Sequence, residues 1–162
     1  MRKWVVPILA ALAVAVVGPT LAGDAKVRRT HKCSFDVTGL FARVKVISGM
    51  PPANGSDKDA ATLDGKFCGK RFRGAARSVN KYPTLGTVTS KGRSFGPSGS
   101  VKYKLSGTGT LNSDGSISFS GSGKVRGGTA RYKLAKGSFS FSGTQPAGST
   151  VASLRIKGKI KY

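Results

Sequence analysis

Alternation with a period of two runs through the second half of the chain. Val101, Tyr103 and Leu105 alternate with Lys102, Lys104 and Ser106. Ile117 and Phe119 alternate with Ser116, Ser118 and Ser120, and Phe139 and Phe141 with Ser138, Ser140 and Ser142. At the end of the sequence Leu154, Ile156, Ile160 and Tyr162 face one way, and Arg155, Lys157, Lys159 and Lys161 the other. Such alternation marks half-buried β-strands. Turn chemistry separates the runs: Asn112-Ser113-Asp114-Gly115, Gly127-Gly128-Thr129 and Pro146-Ala147-Gly148. Gly115 suits a left-handed turn position.

Before residue 99 the pattern is weaker. Ser34 to Ile47 reads as one bent strand or two short ones, with Ala42, Val44 and Val46 alternating with Arg43 and Lys45. Gly49 to Asp59 reads as a loop, because Met50-Pro51-Pro52 and Asn54-Gly55-Ser56-Asp57 are turn-forming. Residues 60–67, 71–79 and 85–89 are further strand candidates. Roughly seven or eight strands at near-regular spacing predict an all-β antiparallel fold, a small barrel or else a β-sandwich. Closure into a barrel removes exposed sheet edges. Gly107, Gly109, Gly121, Gly123 and Gly158, inside strands, suit the bends and bulges of a small barrel.

The first 22 residues have a different character. Arg2 and Lys3 precede an apolar run from Trp4 to Val17, broken only by Pro7. Gly18-Pro19 ends any helix, and Ala22 supplies a small residue for cleavage, with Ala25 as a second site. This is the layout of a secretory signal peptide. An uncleaved anchor would need roughly 20 apolar residues, more than this run offers. The expected organisation is a leader (1–22), a flexible basic tail (23–32) and one domain (33–162). The product is secreted or held at the cell surface. It has no later transmembrane segment, and no Trp remains once Trp4 is removed.

Composition sharpens the picture. The chain has no Glu; its acids are six Asp against 28 Lys and Arg, a net charge of +22 at pH 7. Abundant Gly, Ser and Thr argue against helices. The charge implies an anionic environment, or serves only to keep a β-rich protein soluble. Outside the cell the first of these means anionic wall polymer or polysaccharide rather than a specific nucleic acid. Cys33 and Cys68, an even pair in an exported chain, predict one disulfide. In the chain-entropy account a loop of that size is worth about 4 kcal/mol.

The chain offers little for catalysis. His31 is the sole histidine and lies in the basic tail. Asp57 and Asp59 sit in the expected loop and read as turn formers, without the Asp-x-Asp-x-Asp-Gly spacing of a calcium loop. Asp114 reads as a turn former too. Asp36 and Asp64, near the cysteines, form at most a polar pair inside a barrel. No catalytic residue, metal or cofactor is assigned. The basic ladder remains: Arg155, Lys157, Lys159 and Lys161 project from one strand face about 6 to 7 Å apart. Lys102 and Lys104 add a second row if their strand is a neighbour. Such a stripe suits a polyanion bound by counterion release.

Gly127-Gly128-Thr129-Ala130-Arg131-Tyr132-Lys133-Leu134-Ala135-Lys136-Gly137 resembles a β-barrel signature of the allene oxide cyclase/dirigent-like superfamily and of exported bacterial proteins of similar size. Its common form is Gly-Gly-Thr-Gly, an aromatic, then Ala-x-Gly. The resemblance covers residues 99–162. It implies a barrel in which Gly127, Gly128 and Thr129 make a tight reversal, Tyr132 and Ala135 pack on the wall, and Gly137 restarts a strand. Ala130 replaces the usual Gly and is strained if that site needs positive φ. The cyclases' buried Glu has no counterpart here, so activity does not carry over. Two functions are therefore expected as alternatives. One is a non-enzymatic secreted barrel that binds anionic polymers. The other is a barrel whose interior pocket binds or isomerises a small ligand.

Overall fold

The computed structural model describes residues 30–50 and 54–162. The expected leader (1–22), residues 23–29 of the expected basic tail and residues 51–53 lie outside the described residues. Eight strands follow in order: β1 (Lys32–Met50), β2 (Asn54–Phe67), β3 (Lys70–Tyr82), β4 (Thr87–Gly96), β5 (Gly99–Leu111), β6 (Ile117–Gly128), β7 (Lys136–Gln145) and β8 (Val151–Lys161). A single 3-10 turn (Ala130–Tyr132) joins β6 to β7. Each strand pairs antiparallel with the next, and β8 pairs with β1, closing an up-and-down barrel. The strands run longer than expected, and residues 54–59, expected in a loop, open β2. Among the described residues no helix is long and apolar enough to cross a membrane.

The two faces separate by residue type. On β3 to β8 the outward positions are mainly Lys, Arg, Ser and Thr, the reverse of the apolar-out pattern of a barrel facing lipid. Inward positions on β5 to β8 carry Tyr103, Leu105, Phe119, Phe139, Phe141, Leu154 and Ile156, which line the interior. Glycines make room for these rings. A Cβ on Gly121 would strike the Phe141 ring and the Ser106 carbonyl, and one on Gly123 the Phe139 ring. The strand glycines at 107, 109, 121, 123 and 158 thus serve close approach; none has positive φ.

One end of the barrel is plugged. Val125, Tyr132, Ala135, Phe139, Phe141 and Ile160 form a buried cluster against Phe35, Phe67 and Tyr162. The Tyr132 ring meets Phe67 and Tyr162 edge-on, at 5.8 and 4.9 Å between centroids. The expected disulfide, Cys33–Cys68, ties the start of β1 to the β2–β3 turn at this end. His31 pairs its backbone with Tyr162, so the described end of the basic tail continues the β1–β8 ladder. The 127–137 segment forms the plug. Gly127 has φ 83° and Ala130 φ 49°, so Ala130 does occupy a left-handed position. Thr129 anchors the reversal: its hydroxyl accepts from the Ser100 N–H at 3.0 Å and its N–H donates to the Ser100 carbonyl at 2.9 Å. Cβ atoms at Gly128 and Gly137 would strike the Ser100 and Lys159 carbonyls, so both strands come close only because these are glycines.

Candidate functional site: a barrel cavity with one polar wall

The interior encloses a cavity of about 590 Å³, within the usual range for small-molecule sites. An eight-stranded barrel is just wide enough to hold one small ligand. The cavity has two chemically distinct walls. Strands β5 to β8 line it with the apolar side chains above. Strands β2 to β4 line it with Asp57, Asp59, Ser78, Asn80, Tyr82 and Ser90 along one stretch, and with Leu63, Phe67, Phe72 and Ala76 nearer the plug.

The polar wall follows from strand parity. On β2 the odd positions turn inward, so Asp57 and Asp59 share a face with the buried Ala61 and Leu63. On β3 the even positions do, which places Ser78, Asn80 and Tyr82 inside. The register sets Asn80 opposite Asp57 and Ser78 opposite Asp59. Strand β1 has a register shift between Arg43 and Lys45. Arg43 lies opposite Asp59 and turns inward, while beyond the shift Lys45 lies opposite the exposed Lys58. Bulges re-aim side chains in this way beside functional sites.

Asp57 is the centre of the cluster and is fully buried. Arg43 Nε donates to Asp57 Oδ2 at 2.7 Å, and Asn80 Nδ2 donates to Oδ1 at 2.9 Å. The Tyr82 hydroxyl lies 3.3 and 3.4 Å from the two oxygens. Asn80 Nδ2 also donates to Asp59 Oδ2 at 2.6 Å, so the amide stands between the two carboxylates. A buried carboxylate is tolerable only when paired and hydrogen-bonded, and Asp57 is both.

Asp59 differs. Burial, with the neighbouring Asp57 charge, pushes its carboxyl up to about 6. It therefore exchanges a proton near neutrality, while Arg43 stays charged. Burial is the largest single influence and works against that charge, but the hydrogen bond to Asp57 and the neighbouring acidic groups together outweigh it and hold the guanidinium above its ordinary value. Burial also raises Tyr82, reinforced by Asp57 and Asp59, so its phenol remains a hydrogen-bond donor. Burial pushes Tyr103, which faces the cavity from β5, up to about 12. On β4 the Ser90 hydroxyl is buried without a hydrogen-bond partner, the one such side-chain atom among the described residues. The polar side of the cavity thus presents the paired Asp57, the titratable Asp59 carboxyl, the Tyr82 and Tyr103 phenols and the unpartnered Ser90 hydroxyl.

The residues singled out in the sequence divide between the cavity and the outer surface. Asp57 and Asp59 are not turn formers; they are the heart of the cavity. Asp36 and Asp64 face outward. Asp36 pairs with Arg155 at 2.9 Å and Lys157 at 3.6 Å, and Asp64 with Arg73 at 3.0 Å. Asp114 is a turn former, accepting from the Ser116 N–H at 2.9 Å. Arg155, Lys157, Lys159 and Lys161 are exposed on one face of β8. Lys102 and Lys104 are exposed on β5, which neighbours β4 and β6 rather than β8. A signal for the cavity residues was present. Arg71, Arg73, Arg77 and Lys81 all occupy odd positions of β3, so the intervening Ser78, Asn80 and Tyr82 had to face inward.

No protein-family model, no curated protein and no solved structure matches this chain.

Proposed function

We propose that this protein is an exported small-molecule-binding barrel. Its ligand is a largely apolar molecule carrying one hydrogen-bond-donating head. The apolar body lies against Leu105, Phe119, Phe141, Leu154 and Ile156. The head reaches Asp59 and the Ser90 hydroxyl. The observation that carries this reading is the Arg43–Asp57–Asn80 network, centred on the buried Asp57, facing an apolar wall across the barrel cavity. Such a network holds its carboxylates in fixed positions, the preorganisation that a specific site needs. The leader-like residues 1–22 support export. The likeness of residues 127–137 to the allene oxide cyclase/dirigent-like barrels supports an interior site. Binding rather than turnover is the reading, because among the described residues no hydroxyl nucleophile is hydrogen-bonded to Asp59, whose side-chain partner is Asn80.

The test is titration of the exported protein with N-phenyl-1-naphthylamine, a neutral apolar amine whose emission rises on burial. Saturable one-to-one binding is expected, weakened at least tenfold by Ala76→Trp, which fills the cavity. Val88→Trp serves the same purpose should Ala76→Trp fail to fold. Absence of saturable binding, or binding that survives both fillings, would sink the proposal.

A further inference from the structure

The outer surface of the barrel carries a second feature, independent of the cavity. Strand register sets cations directly opposite cations. Lys124 on β6 faces Lys104 on β5, which faces Lys91 on β4. Alongside, Lys102 on β5 faces Arg93 on β4, which faces Arg77 on β3. All six lie at outward positions. Adjacent strands are about 4.8 Å apart, and the two rows are two residues, about 6 to 7 Å, apart along the strands. Like charges directly opposite each other destabilise a sheet. Nothing nearby relieves them: the four ion pairs among the described residues involve Arg43, Arg73, Arg155 and Lys157 instead. The ladder on β8 is in part neutralised by Asp36, whereas this block is not.

A further property of the surface selects the partner. Every Phe and Tyr except Phe95 lines the cavity, and the Arg77 guanidinium covers the Phe95 ring at 5.5 Å. Base-stacking platforms, on which single-stranded nucleic acid depends, are therefore missing from this flank among the described residues. Two short parallel rows of mobile charge fit instead a chain of repeating anionic groups with no flat faces to stack.

We infer that the β3–β6 flank, through Lys91, Arg93, Lys102, Lys104, Lys124 and Arg77, docks a linear acidic polysaccharide. Binding proceeds by release of the polymer's counterions and weakens steeply with salt. The barrel is thereby held on an anionic matrix while its cavity stays open to ligand.

The test measures affinity for fluorescent polygalacturonate from low to moderate salt. The variants are Lys91→Gln/Lys104→Gln/Lys124→Gln and, as control, Arg155→Gln/Lys157→Gln. The triple variant should lose at least tenfold in affinity, and its log–log salt slope should shrink by about two to three. The control pair, already engaged by Asp36, should lose less than threefold. Folding is checked by naphthylamine binding or, independently of the cavity, by thermal unfolding. Equal losses in both variants would mean diffuse charge rather than a docking flank. A clear preference for an oligothymidylate of matched charge would mean a nucleic-acid surface. A triple variant with wild-type affinity would mean no site there. Each of these results overturns the inference.

Discussion

The two walls of the cavity are built from the same secondary structure but solve opposite problems. On β5 to β8 the inward residues are aromatic or aliphatic, and glycines on neighbouring strands make space for the rings. Stability there comes from area removed from water and from close packing. On β2 to β4 the inward residues are apolar toward the plug (Leu63, Phe67, Phe72 and Ala76) and acids, amides and hydroxyls beyond it (Asp57, Asp59, Ser78, Asn80, Tyr82 and Ser90). Stability there depends on each polar group finding its partner, because an unpaired buried charge is heavily penalised. The apolar wall needs only the right volumes. The polar wall needs Arg43, Asp57 and Asn80 at particular register positions at once. For the proposed ligand, the difference would place specificity on one side of the barrel and bulk affinity on the other.

Three substitutions separate the walls. The largest effect is expected for Asp57→Ala, which strips the half-buried Arg43 guanidinium and the buried Asn80 amide of the carboxylate they share. Urea unfolding should show a loss of about 3 to 5 kcal/mol. Replacing both partners, Arg43→Met with Asp57→Leu, should recover much of it. If the double variant is as unstable as the single, the polar wall is needed for packing and not only for charge pairing.

Gly121→Ala probes the apolar wall. The added methyl meets the Phe141 ring and the Ser106 carbonyl, and overpacking of this kind costs about 1 to 3 kcal/mol. A neutral result in the same unfolding assay would show that the ring shifts freely and that the wall is loosely packed.

The smallest effect concerns Asp59. Its carboxyl titrates near 6 in the fold, above its ordinary value of 3.8. A carboxyl raised by folding favours the folded state most at low pH, and that contribution fades as pH rises through about 6. The melting temperature of Asp59→Asn, relative to the wild type, should therefore rise between pH 4 and pH 7. A flat difference over that range would place the Asp59 titration elsewhere.

The comparison also explains which parts of the fold were legible beforehand. On β5 to β8 hydrophobic alternation and charge alternation coincide, so the strands stand out. At the Asp57–Asp59 end of β2 and the Ser78–Tyr82 end of β3 the inward positions are mostly polar, so hydrophobic alternation breaks off there. Asp57 and Asp59 then look like part of the Pro/Gly-rich loop before them. The outward Lys and Arg kept their parity throughout, as Arg71, Arg73, Arg77 and Lys81 do on β3, and that parity would have exposed the buried side.

By itself the sequence determined the all-β class, the antiparallel strand succession, the single disulfide and the intense positive charge. These follow from local properties: periodicity, turn chemistry, cysteine number and residue counts. Only the tertiary structure decided that the sheet closes between β1 and β8 and that Arg43 meets Asp57. It also decided that six cations from four strands share one flank. Closure and register are relations between distant segments, and a pattern of period two is the same whichever strand lies alongside.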